Sequence, residues 1–452
     1  MASDSAPGWE KQRAIGSARS MTRETQRLGG RWRPGAAHYV RSTRDLGGRA
    51  RSGVLFLMGL LVFGSGVLSL RIEVAGLYVH PQLLLVLPVA AWVLMSSSRN
   101  AAASLAPSAL VTIATFSISH LVSGGPYGQL LKLIASALTL FVAASLARTS
   151  ADFRAGALGL AAGVGLLAMR GMVGIQEVQL GVGLNPVEEV ANKNYFSLLA
   201  LPAIFVSGAW LLHGRPAWTD RVVLVLAVAA CSLTIAGSAN RSGWVSLAVV
   251  PILLFGRKAS PRFLIGIATV AFVVMYGLEK LELLPVVEER IALTQAGYSS
   301  DELREQLYQA GAEIFLASPI YGSGLPRISD ELAARVGGAF SEEIGPHSVV
   351  VYLLAGGGLF CTIPIVVFAL RVVWPRFRRY ELGSIRPRDE GLAWLLPRLG
   401  LLWLIRGLFS DEILYSPAFS MALGMFHGVT VWDSSFGGVK AVERRQPVGG
   451  MR

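Results

Sequence analysis

Residues 347–371 read HSVVVYLLAGGGLFCTIPIVVFALR, and nothing between the first histidine and the last arginine is charged. A helix of that length, at about 1.5 Å per residue, is long enough to cross the ~30 Å hydrocarbon core of a bilayer. Arg371, Arg376, Arg378, Arg379, Arg386 and Arg388 then crowd into the adjoining stretch. An apolar run with such a basic flank reads as a membrane span whose C-terminal end faces the cytoplasm.

Eleven more apolar blocks fall near 53–70, 75–97, 101–122, 127–148, 153–172, 194–213, 221–239, 242–256, 263–284, 391–410 and 416–433. With 53% apolar and only 15% charged residues, the chain cannot cover a water-soluble surface of its size. The expected fold is therefore all-α, a polytopic bundle of about twelve transmembrane helices over 53–433. A basic, polar arm at 1–52, expected to be disordered, precedes it, and a short tail at 434–452 comes after. The first apolar block comes only after that arm and is expected to be an uncleaved anchor. Gly159 and Gly163 form a small-xxx-small pair suited to close helix packing.

Placing the arm in the cytoplasm fixes the side of every connection. Cytoplasmic segments then hold 29 of the 41 Lys/Arg, and outer segments hold 18 of the 29 Asp/Glu. Both termini are thus expected on the cytoplasmic side of a bacterial inner membrane. The net charge of +12 becomes a topology signal, which removes the argument for a nucleic-acid partner. Cys231 and Cys361 each lie inside an apolar block and give neither a disulfide framework nor a zinc site. There is no Walker loop, HExxH, GxSxG or CxxC pair, and no cofactor or metal is expected.

Two outer segments, about 170–193 and 284–346, are too long to be simple connectors. In the second, Ser299 and Glu302 suit a capping box, and Leu303, Leu307, Ala310 and Ile314 recur at helical spacing. Pro319, Gly322, Gly324 and Pro326 predict a turn, and a second short helix is expected near Ser329.

Polar residues gather at the outer ends of spans. Arg241 occupies the brief connection Gly237-Ser-Ala-Asn-Arg-Ser-Gly-Trp244, where a guanidinium either snorkels to the interface or meets an anion. Arg304 lies on the loop helix, as a solvated partner of Glu305 or Asp301 or as an anion contact. His347 opens a span, where an imidazole can exchange protons near neutral pH, although His80, His120 and His213 also lie near span ends. Lys193, with Asn194, starts another span as an interfacial anchor or a point charge. Lys132 and Arg406 are deeper; either is structural or lines a cavity, and Arg406 has Asp411 and Glu412 nearby in sequence.

The order of these residues resembles the O-antigen ligase and polymerase superfamily. Four stretches carry the likeness: Asn192-Lys-Asn-Tyr-Phe196, Ala239-Asn-Arg-Ser-Gly-Trp244, Arg304 with Ala317-Ser-Pro-Ile-Tyr-Gly-Ser-Gly324, and Pro346-His-Ser348 with Gly356-Gly-Gly-Leu359. The frequent Ser/Thr-Gly-Ser-Arg pattern here reads Gly-Ser-Ala-Asn-Arg, and Ser348 replaces the frequent Asn. The resemblance implies a GT-C-like bundle that transfers a glycan from undecaprenyl diphosphate to an acceptor hydroxyl on a glycan, lipid or protein. It gives His347 the role of general base, and Arg241, Arg304 and Lys193 that of diphosphate ligands. Asn194, Lys132 and Arg406 are candidates for lining the cavity. Ligase and polymerase both fit. A transporter or flippase of an anionic or lipid-linked solute is the competing class, and would carry its charges through the middle of the bilayer.

Overall fold

The computed structural model describes residues 34–65, 72–74, 77–79, 81–95, 104–124, 127–173, 193–214, 216–238, 240–255, 261–281, 283–295, 300–336, 346–373 and 392–443. The chain divides into Met1–Ala50 and Arg51–Arg452. Of the first unit the structure describes a helical backbone from Pro34 onward, the start of α1 (Pro34–Leu60).

The second unit is a bundle of α-helices. Around its core lie α2 (Pro81–Met95), α3 (Ala106–Ser123), α4 (Gly128–Leu146), α5 (Ser150–Val173), α6 (Lys193–His213), α7 (Trp218–Gly237), α8 (Arg241–Phe255) and α9 (Pro261–Lys280). Three helices, α10 (Leu284–Gln295), α11 (Ser300–Ala317) and α12 (Ile328–Val336), interrupt the series, which resumes with α13 (Val349–Val373), α14 (Leu396–Gly407) and α15 (Pro417–Glu443). Among the described residues six helices are long and apolar enough to cross a membrane, and Pro81–Met95, Arg241–Phe255 and Pro417–Val431 are shorter apolar ones. The chain is a multi-pass membrane protein. Its outer wall fits a lipid solvent, since large side chains such as Leu94, Val122 and Phe272 are exposed.

One small element departs from the all-helical expectation. Ile72–Val74 pairs antiparallel with Leu77–Val79, so the apolar run expected to start at residue 75 becomes a hairpin before α2. β-branched Ile72, Val74 and Val79 favour strands, Ala75-Gly76 separates them, and Pro81 suits a first helical turn. The expected outer segment at 170–193 lies largely outside the described residues.

Core contacts occur at the small-residue positions. A side chain at Gly159 would collide with the Phe56 carbonyl, and one at Gly163 with the carbonyl of Gly59, so this pair lets α1 and α5 touch backbone to backbone. Gly424 and Gly428 do the same for α15 against α4.

The helix ends show which elements share an end of the bundle. The Arg154 guanidinium, on the first turn of α5, donates to both oxygens of Asp220 on α7 at 2.6 and 2.8 Å. Buried Asp152 accepts from Ser52 Oγ at 2.8 Å, from Thr149 Oγ1 at 2.9 Å, and from the Arg148 and Thr149 amides. Arg398 donates to the Leu253 and Leu254 carbonyls at the C-terminus of α8.

The opposite end is built on a broken helix. Within α13, residues Tyr352–Gly356 form a π-helical turn, and Gly358 leaves helical geometry at φ 57°. The break exposes backbone groups that a membrane interior cannot solvate. A turn from the long connection supplies their partners. Ser323 and Gly324 amides donate to the Ala355 and Gly356 carbonyls at 2.9 and 2.8 Å. In return, Leu359 and Phe360 amides donate to the Pro319 and Ile320 carbonyls at 2.9 Å each. Added side chains at Gly322 or Gly358 would strike the facing backbone, which explains these glycines.

Candidate functional site

The described residues of 284–346 form the expected helices. The α11 stripe buries Leu307, Ala310 and Ile314, and the second helix begins at Ile328. The turn after α11 is pinned into α13, a few residues beyond His347. Arg304, one turn into α11, is half-buried.

His347 precedes α13 with φ 47°, a left-handed conformation that a histidine adopts at a cost of order 1–3 kcal/mol. Burial, and then the positive charge of Arg304, hold its imidazole below the ordinary histidine pKa. It is therefore neutral at pH 7, the form that can accept a proton.

Arg304 also lies in the electrostatic surroundings of Arg406, as does Glu412. Arg406, a candidate for lining the cavity, is instead fully enclosed, with 0% exposure. Its Nη2 donates to Ser197 Oγ at 2.9 Å. Asn240 Nδ2 donates to the same hydroxyl at 3.4 Å. Asn240 is at the same time the N-cap of α8, its Oδ1 accepting from Ser242 Oγ at 2.8 Å and the Gly243 amide at 3.1 Å. Trp244 Nε1 donates to the Ile235 and Ala236 carbonyls at the end of α7. Arg241, half-buried, thus stands on a connection tied down on both sides.

A second polar thread runs beside this one. The Tyr415 hydroxyl donates to that of Tyr352 at 2.8 Å, which donates to Gln129 Oε1 at 2.9 Å. Asp411, before Tyr415 on the same 3-10 turn, is partly buried, and that burial pushes its carboxyl up to about 6 against the pull of Lys132. Lys132 is exposed on α4 and so has an acid in reach that the sequence order concealed. The side chains of Lys193 and Asn194 lie outside the described residues; their backbone opens α6, one turn before Ser197.

Between α3, α4, α13 and α14 lies an apolar crevice of about 650 Å³, walled by Ile113, Leu133, Leu353, Phe368, Leu401 and Trp403 among others. Among the described residues no three His, Cys, Asp or Glu side chains group as a metal site.

Fold and site together define a multi-pass membrane protein in which Arg304 is an electrostatic neighbour of both His347 and Arg406, and an apolar crevice lies between four helices. Residues 224–366 match the family model of O-antigen ligase. The matched segment holds Arg241, Arg304 and His347, and leaves out Lys132, Lys193, Asn194 and Arg406. No curated protein matches the chain.

Proposed function

We propose that this protein is a membrane glycosyltransferase that moves a glycan from undecaprenyl diphosphate to an acceptor hydroxyl on the outer face of the inner membrane. What carries the reading is His347, half-buried ahead of α13 and held below its ordinary pKa by burial and the charge of Arg304, within the segment that matches O-antigen ligase.

The acceptor oxygen attacks the anomeric carbon, the bond from that carbon to the diphosphate oxygen breaks, and the acceptor proton passes to His347. Direct attack inverts the anomeric centre. Charge grows on the departing diphosphate, and guanidinium groups stabilise it through planar, permanently charged forks. Arg304 and Arg241 take this role, with Lys193 as a further point charge. Fixed cations in a partly dry site contribute several kcal/mol to such a step, and no divalent metal is required by this scheme. The apolar crevice suits the polyprenyl chain of the donor, since its wall is almost wholly hydrocarbon.

Twelve spans with cytoplasmic termini put His347 on the outer side, by the positive-inside distribution. A transporter would need charges along a path through the bundle. The clustering of Arg304, Arg406, Glu412 and His347 at one end favours the enzyme.

Deletion followed by electrophoresis of surface glycans tests the reading. Loss of polymer from its anchor marks a ligase and single-unit products mark a polymerase. An unchanged glycan profile counts against both, and intracellular accumulation of complete lipid-linked glycan that was never flipped would favour the transporter.

A further inference from the structure

We infer that Arg406, Ser197 and Asn240 form a buried relay that fixes the position of Arg241, so that Arg406 is a positioning residue for the transfer proposed above, on which this inference rests. Arg406 does not reach substrate itself: it is fully enclosed, and its Nη2 is committed to Ser197 Oγ at 2.9 Å. Ser197, 1% exposed on α6, receives Asn240 Nδ2 as well. Asn240, 6% exposed, holds the Ser242 hydroxyl and the Gly243 amide through its other side-chain atom. The residue between these anchored positions is Arg241.

The relay joins three helices that are distant in sequence. Arg406 and Ser197 lie 209 residues apart, and Ser197 and Asn240 lie 43 apart. Lys193 sits one helical turn before Ser197, so the start of α6 is held in register with the start of α8. A stability argument alone does not explain a guanidinium at this place. Burying one is costly, and an apolar side chain of similar volume often serves the fold equally well or better. What an apolar residue cannot do is hold the Ser197 hydroxyl toward Asn240. Arg406 also shares its electrostatic surroundings with Arg304 and Glu412, which couples α14 to the loop helix.

The test uses full-length protein in proteoliposomes, with an undecaprenyl diphosphate-linked glycan as donor and methylenediphosphonate as a competing probe. Ser197→Ala removes the shared hydroxyl. Asn240→Ser keeps a competent N-cap but does not reach Ser197. Each variant is expected to lower kcat/KM about tenfold, the loss of one hydrogen bond to a charged or cap group. The double variant is expected to lose about the same factor, because both changes cut one chain. Inhibition by methylenediphosphonate weakens in parallel. Arg406→Lys, which keeps the charge without the planar fork, behaves like Ser197→Ala. Thermal unfolding of each variant separates positioning from support. A lowered midpoint with unchanged kcat/KM of the folded fraction overturns the relay. So do two losses that multiply, to about a hundredfold. Absence of transfer by the unaltered protein overturns the function itself, and the relay with it.

Discussion

Arginines stand at both ends of this bundle, in opposite settings. At the Asp152 end, Arg154 forms a forked pair with Asp220, and Arg51 lies 3.7 Å from Asp152, whose oxygens already accept from Ser52, Arg148 and Thr149. Burial and the neighbouring charge of Arg51 pull the Arg148 guanidinium down from its ordinary value. At the His347 end, Arg406 donates to Ser197 with Glu412 and Arg304 in its surroundings, Arg304 also adds positive charge to the surroundings of His347, and the supporting helix is broken. The first arrangement ties helix ends together. The second places Arg304 and Arg406 within electrostatic range of each other, the kind of grouping that an anionic leaving group would need. The same residue type thus ties helices at one end and, in the proposed function, serves the chemistry at the other.

The largest expected effect separates the ends by activity. His347→Ala should lower transfer by ~10²–10⁴-fold, the usual contribution of a general base, while the protein still accumulates in the membrane. Arg154→Ala should leave transfer per folded molecule unchanged. Equal losses in both variants would erase the distinction.

Next comes the broken helix. Gly358→Ala forces a side chain onto φ 57° and against the Ile320 carbonyl. The strained backbone alone costs ~1–3 kcal/mol, and the collision adds to it. Fluorescence-detected gel filtration should show loss of folded protein, whereas Gly266→Ala, where an added side chain meets nothing within 4 Å, should be silent.

Asp220→Asn probes the paired end. Weakening the forked pair, half of which is exposed, should cost about 1–2 kcal/mol in thermal unfolding without altering kcat/KM of the folded fraction.

Asp411→Asn should act in the other direction. Its carboxyl is raised to about 6, so the fold favours the protonated form. That preference adds stability below the ordinary carboxylate pKa and is lost as pH rises through about 6. At neutral pH the amide should therefore stabilise by on the order of 1 kcal/mol after discounting for partial exposure. The gain should vanish below about pH 3, under the ordinary carboxylate pKa.

The finest test is the acid limb of kcat/KM. Activity needs neutral His347, so the limb should lie below the ordinary histidine pKa. Arg304→Gln removes a positive neighbour, which raises the histidine pKa, and the residual activity should fail at a higher pH than in the unaltered protein. An unshifted limb would place the two side chains in separate functions.

Much of the architecture was legible in the sequence because lipid imposes a strong pattern. Long apolar blocks gave the helices, and the motifs around Arg241, Arg304 and His347 gave the segment that matches O-antigen ligase. The Leu307, Ala310 and Ile314 stripe gave the loop helix. The relay was not legible, since Ser197 and Asn240 are common residues whose meaning comes from Ser197 meeting both Arg406 and Asn240. The seating of the 319–324 turn in α13 was hidden too, because backbone hydrogen bonds leave no side-chain signature. Gly356-Gly-Gly358 was the available hint, three glycines in a row inside a span. The 72–79 hairpin was absorbed into an apolar run, where strand and helix look alike at short length.

Direct binding of undecaprenyl diphosphate to purified protein, measured by native mass spectrometry or calorimetry, tests the contrast between the ends most simply. The lipid should bind the unaltered protein, bind Arg154→Ala equally well, and bind Arg241→Gln/Arg304→Gln at least tenfold more weakly, as expected for loss of charge-assisted contacts to a diphosphate. Equal affinity in all three proteins would show that the cations at the His347 end do not hold the diphosphate.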